Sequence, residues 1–222
     1  MENEPVLSAI EARTLGCLME KELATPEHYP LSLSSLVAAC CQKSNRAPVM
    51  ELETSVVEKA LGILRREKKW ATLVHEAGAR VPKFRHEMAE LFELTPVERA
   101  VLAELLLRGP QTVAELRNRV PRMVATLGEG QVEQALVVLK EVRGVRMVVE
   151  LPKAPGRREL RFAEVLCGAG TEEPSSKKAV VVDAPVSSEE KRIEALESRV
   201  GELESELASV REAFEAFKAS FE

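Results

Sequence analysis

One stretch of structure is written twice along this 222-residue chain, and that constrains the fold more than any single residue does. Leu7, Glu11, Leu15 and Leu18 recur 87 positions later as Leu94, Glu98, Leu102 and Leu105. Val57-Glu58-x-Ala60-Leu61-x-x-Leu64 recurs at an offset of 75 as Val132-Glu133-x-Ala135-Leu136-x-x-Leu139, and Gly78 and Phe84 answer to Gly156 and Phe162 at an offset of 78. A unit of roughly 80 residues has been duplicated, with about a dozen extra residues in the middle of the first copy.

Hydrophobic periodicity assigns the elements of each copy. In the first, a helix is expected from about Ser8 to Leu23, opened by a Ser8/Glu11 capping box and stopped by Thr25-Pro26. Its expected buried side carries Ile10, Thr14, Leu15, Leu18 and Leu23. A short extended segment at Tyr29–Ser32 precedes a helix burying Leu33, Leu36, Val37 and Cys40. After the loop from Gln42 to Leu52, a third helix from Thr54 to Lys68 places Val57, Ala60, Leu61 and Leu64 on one face. Trp70 to Val74 and Arg80 to Arg85 read as a hairpin. The second copy repeats this with helices from Thr95-Pro96 to Arg108, Thr112 to Arg119 and Gly130 to Glu141, then a hairpin from Val145 to Phe162. Helix, extended segment, helix, helix, hairpin is the order of a winged helix-turn-helix domain. The expected fold is therefore mainly α with small β-hairpins, as tandem winged-helix domains over residues 1–90 and 91–167.

Residues 168–190 are rich in small, charged and proline residues and read as a flexible linker. Beyond it, Ile193, Leu196, Val200, Leu203, Leu207, Val210, Phe214, Phe217 and Phe221 alternate spacings of three and four without a miss. That pattern predicts a coiled-coil helix over 191–222 that forms a homodimer, in preference to an amphipathic helix packed on its own domains. Charged flanking positions suit parallel and antiparallel pairing alike, while Ile and Val at the first two a positions with Leu at d favour a parallel pair.

The net charge of −5 belongs to the C-terminal part: residues 171–222 hold 13 acidic and 7 basic side chains, against 23 and 24 in residues 1–170. An acidic total thus leaves the body free to meet a polyanion. Cys17, Cys40, Cys41 and Cys167 form no C-x-x-C pair, and free thiols suit a reducing compartment. No apolar run approaches the length of a membrane span, and Met-Glu-Asn-Glu-Pro lacks the apolar stretch of a signal peptide. A cytoplasmic location is expected.

The strings Glu11-Ala-Arg-Thr-Leu-Gly-Cys-Leu-Met-Glu-Lys21, Thr25-Pro-Glu-His-Tyr-Pro-Leu-Ser32, Gln42-Lys-Ser-Asn-Arg-Ala-Pro-Val-Met50, Leu105-Leu-Leu-Arg-Gly-Pro-Gln-Thr112 and Pro155-Gly-Arg-Arg-Glu159 are long and unusual. Over about residues 7–165 the chain closely resembles the YceH family of bacterial proteins, and its tail is similar to that family's terminal coiled coil. The resemblance implies paired winged-helix domains, in agreement with the repeat, and supplies no functional residue.

Nothing in the chain reads as an enzyme. There is no G-x-S-x-G, P-loop or H-E-x-x-H, and Asp occurs once, at Asp183. His28, His75 and His86 are scattered; His75 and His86 could face each other across the first hairpin but are expected to be surface histidines rather than metal ligands, and no cofactor is expected. Glu20 and Glu22 are read as a solvated helix face.

What remains is charge. The third helix and hairpin of the first copy hold Lys59, Arg65, Arg66, Lys68, Lys69, Arg80, Lys83 and Arg85, against only Glu67 and Glu76 between residues 59 and 86. With the apolar face inward, Ser55, Lys59, Gly62 and Arg66 should point outward. These groups suit double-stranded DNA, since phosphate contacts require Lys and Arg. In the second copy the corresponding positions are Gly130, Gln134, Val137 and Glu141, a poor surface for DNA, although Lys153, Arg157, Arg158 and Arg161 keep its hairpin basic. The expected function is thus a dimeric DNA-binding protein, with transcriptional control as its setting. The alternative is a protein-binding adaptor that contacts an unknown partner through the inserted loop at Lys43, Asn45 and Arg46. Against that alternative stands a simpler role for the loop, in which Val49 and Met50 plug the core.

Overall fold

Sixteen-residue helix α1 (Ala9–Ala24) shows how the duplication is used. Ser8 accepts from the Glu11 N–H while the Glu11 carboxylate accepts from the Ser8 N–H, completing the expected capping box. Yet every residue from Glu11 to Glu20 is buried, so the helix has no solvent side at mid-length. In the second copy, α5 (Pro96–Arg108) starts with the equivalent Thr95/Glu98 capping box and is buried throughout Ala100–Leu107. The two helices bury each other, in the most extensive contact between any two helices of the chain's described residues. The computed structural model describes residues 7–74, 81–153 and 159–168.

Around this pair the order of elements repeats. The first copy continues with β1 (Leu31–Ser32), α2 (Leu33–Cys40), α3 (Thr54–Arg66), β2 (Ala71–Val74) and β3 (Lys83–His86). After a short α4 (Met88–Phe92), the second copy continues past α5 with β4 (Gln111–Thr112), α6 (Val113–Arg119), α7 (Gln131–Leu139), β5 (Val148–Leu151) and β6 (Arg161–Glu164). Each copy closes a three-stranded antiparallel sheet, β1-β3-β2 and β4-β6-β5. The registers correspond: Leu31 faces Phe84 as Gln111 faces Phe162, and Ser32 faces Lys83 as Thr112 faces Arg161. Even the lead-in to the sheet is repeated. The Trp70 N–H donates to the Leu64 carbonyl at 2.9 Å, and the Met147 N–H to the Leu139 carbonyl at 3.1 Å. The chain is therefore mainly helical with two small three-stranded antiparallel sheets.

Helix boundaries fall within two residues of the sequence reading, because caps mark the starts. Ser32, Thr95 and Thr112 each accept from a first-turn N–H. Helix α4 was not expected; its five residues are too few to show a period, and Met88 alone is buried. The core is continuous across both copies, from Leu15, Leu18, Leu36 and Leu64 to Leu102, Leu105, Leu116 and Leu136. The copies also join at their ends, where the Leu7 N–H donates to the Leu166 carbonyl at 2.8 Å. All described residues belong to one compact unit. None of the described helices is long and apolar enough to cross a membrane. The linker after Gly168 and the heptad residues Ile193, Leu196, Val200, Leu203, Leu207, Val210, Phe214, Phe217 and Phe221 lie outside the described residues.

Candidate nucleic-acid interface

Helix α3 is amphipathic because its apolar residues recur at three and four positions. Val57, Ala60, Leu61 and Leu64 are buried against α1, α2 and β2, which turns Ser55, Lys59 and Arg66 to solvent. Gly62 lies between the last two, and the Arg66 guanidinium folds over it, since a Cβ added at Gly62 would lie 2.9 Å from Arg66 Nη2. Beyond the helix end, the chain turns with Lys69 in the left-handed region at φ 63°. Lys69 is exposed and Lys68 half-buried beside it. Lys59, Arg66, Lys68 and Lys69 make no ion pair within the described residues.

The other cations expected here that lie among the described residues are committed elsewhere. Arg65 lies over the Phe84 ring at 5.4 Å from its centroid, and in the second copy Lys140 lies over Phe162 at 5.6 Å. That recurrence makes Arg65 a packing group that fastens helix to sheet. Arg85 pairs with Glu87 at 3.2 Å and Glu90 at 3.6 Å, so its charge is neutralised locally. Lys83 is half-buried on β3 and is not free. Arg80, Arg157 and Arg158 lie outside the described residues. Among the described residues the candidate interface comprises Ser55 at the start of α3, Lys59 at its middle, Arg66 at its end, and Lys68 and Lys69 on the turn after it. In the second copy, Gly130, Gln134, Val137 and Glu141 are all exposed, and Val137 is 67% exposed, so α7 presents a surface without cations at those positions.

The inserted loop packs against both copies. Arg46 is buried rather than offered to a partner: its guanidinium donates to the Glu20 carboxylate at 2.6 and 3.1 Å, to the Ala39 carbonyl and to Gln42 Oε1. Next to it, Asn45 Oδ1 accepts from Arg108 of α5 at 2.6 Å, and the Ala47 N–H donates to the Leu107 carbonyl at 2.9 Å. Glu20 also meets Arg122 at 2.8 Å, and Arg122 reaches Glu104 at 2.6 Å. Glu104 is wholly buried. The extra residues therefore clasp the first copy to the second. Met50 is buried in the core as the simpler reading of the loop held, and Val49 is half-buried; Lys43 is exposed.

Two further expectations are corrected. Glu20 is only 2% exposed and Glu22 is half-buried, so neither belongs to a solvated face. His86 is a core residue: Nδ1 accepts from the Met88 N–H at 3.1 Å, leaving Nε2 to donate to Glu22 at 2.9 Å. Glu22 also meets Arg99 of α5 at 3.2 Å. Among the described residues no group of His, Cys, Asp or Glu is placed to hold a metal ion.

These pairs make the fold sensitive to acid. Burial pushes the Glu20 carboxyl up, but the Arg46 hydrogen bond and the Arg46 and Arg122 charges outweigh it and hold the group below the usual carboxylate range. Glu22 is likewise raised by burial and lowered by more, through His86 and Arg99. A carboxyl depressed in the folded state stabilises fully above its unfolded value, about 4.3, and that contribution is lost as pH falls through the folded value. Urea midpoints should therefore hold steady from neutrality to about pH 5 and fall steeply below about pH 4. A midpoint that stays level there would mean these carboxylates gain nothing from their partners.

The family model described as "Protein of unknown function, DUF480" matches residues 7–157. A UPF0502 protein of Geobacter sulfurreducens is 47% identical over 221 residues, covering 99% of this chain and 100% of its own length. One of Geobacter metallireducens is 48% identical over 221 residues with the same coverage, and one of Pelobacter propionicus 44% identical over 222 residues, again 99% and 100%.

Proposed function

The chain belongs to the DUF480 family, and from that premise we propose that it is a non-enzymatic protein that binds double-stranded DNA through the first of two winged-helix modules. The winged-helix reading is supported by the order helix, short strand, helix, helix, hairpin, found twice with matching sheet registers. In such modules the third helix and the hairpin face the duplex. The observation that carries the DNA reading is the set of Lys59 and Arg66 on the outward face of that helix with Lys68 and Lys69 on the turn after it, none spent on an ion pair among the described residues. Cations without internal partners release counterions from phosphates when they bind, which favours association. In this proposal the protein works in the cytoplasm as a homodimer joined through the heptads of residues 191–222.

The adaptor reading has less local support, because Arg46 is buried against Glu20 within the first copy and Asn45 is engaged by Arg108 of the second, which leaves Lys43 as its exposed residue. Changing Lys59, Arg66 and Lys68 to Ala, and Lys69 to Gly to suit its positive φ, tests the DNA reading. At the exposed Lys59, Arg66 and Lys69 such substitutions shift stability by about 0.5 kcal/mol or less each. Affinity for a duplex at ~0.1 M salt should nevertheless fall by roughly 100-fold, as four phosphate contacts disappear. An affinity equal to that of the unaltered protein would remove this surface from consideration.

A further inference from the structure

We infer that this surface holds duplex DNA by its phosphate backbone and does not select a base sequence, an inference that rests on the DNA reading above. Helices that read bases do so chiefly from their N-terminal residues, inserted into the major groove. In α3 that end is anionic. Glu51, Glu53 and Glu58 are all exposed there, and no Lys or Arg occurs from Ala47 to Glu58. Pressing this end into a groove would bring three carboxylates towards the phosphates.

The middle of the outward face is also poorly equipped. Gly62 has no side chain, and Arg66 lies back over it instead of extending from the helix. Asn and Gln, the side chains that pair with adenine in a bidentate way, are absent from Thr54–Arg66. Only Ser55, Glu58 and Lys59 remain as polar groups along the reading face. The cations instead gather at the far end, with Arg66 closing the helix and Lys68 and Lys69 on the turn before Trp70. A helix docked by that end lies across the backbone, and contacts to phosphate fix position without carrying sequence information.

Selection with the full chain from a pool of random short duplexes, followed by anisotropy titration of unrelated sequences at one salt concentration, tests this. Specific sites are typically ~10³–10⁷-fold tighter than others for the same protein. Here no motif should be enriched, and affinities should agree within about tenfold. Lys59→Ala should weaken every duplex by a similar factor. Enrichment of a motif bound about 100-fold or more above its scrambled version would overturn the inference while keeping the DNA reading. Failure to bind any duplex would overturn both.

Discussion

Replacing Arg46 with Ala should destabilise the protein by about 3–5 kcal/mol, the usual cost of breaking a buried ion pair from one side. The substitution removes both bonds to Glu20 and two to the Ala39 carbonyl, all buried, and a part-buried one to Gln42. Arg122 stays near Glu20 and keeps it partly neutralised, which places the expected loss nearer the lower figure. Lysine should not rescue the fold, because one ammonium cannot reproduce the planar fork that serves Glu20 and Ala39 together. Urea unfolding measures this directly. A loss below about 1 kcal/mol would be the behaviour of a surface arginine and would free the loop for an outside partner.

Gly16→Val should cost about 1–3 kcal/mol through crowding where α1 crosses α5. A Cβ at Gly16 would already lie 3.1 Å from Leu106 Cβ and from Leu107 Cγ and Cδ2. Alanine sits near balance, since removing a helical glycine is worth about 1 kcal/mol and offsets the tight approach. Valine adds two methyl groups to the same gap without a better helix propensity than alanine. Both variants are read from the same denaturation curves, and a valine protein more stable than the alanine one would show that the helices part easily. The loss should appear as one cooperative shift of the whole unit, because the core runs through both copies.

The elements were legible because their signals are local. Capping residues at Ser8, Ser32, Thr95 and Thr112 mark helix starts, and the spacing of Val57, Ala60, Leu61 and Leu64 shows the buried face of α3. The burial of Glu20, Glu104, Arg46 and His86 was not legible, because their partners lie on other elements and pair only after the copies meet. One signal was available: Glu104 interrupts the otherwise apolar run from Ala100 to Leu107, and a carboxylate there implies a buried cation. Within the candidate interface, outward placement of Lys59 and Arg66 followed from helical geometry. The stacking of Arg65 on Phe84 depends on a residue nearly twenty positions away and required the assembled sheet. Arg85, by contrast, has Glu87 and Glu90 close by in sequence, so its neutralisation was open to inspection.

In the proposed function the two copies divide the labour. Each copy contributes one helix to the central pair and closes its own sheet, while among the described residues only the third helix of the first carries cations without an ion-pair partner. Titration of a labelled duplex over a series of salt concentrations tests that claim most directly. With four phosphates neutralised, the logarithm of the affinity should fall against the logarithm of salt with a slope of about −4, and substituting Lys59, Arg66, Lys68 and Lys69 should bring the slope close to zero. A slope near zero for the unaltered protein, or one unchanged by the four substitutions, would contradict it.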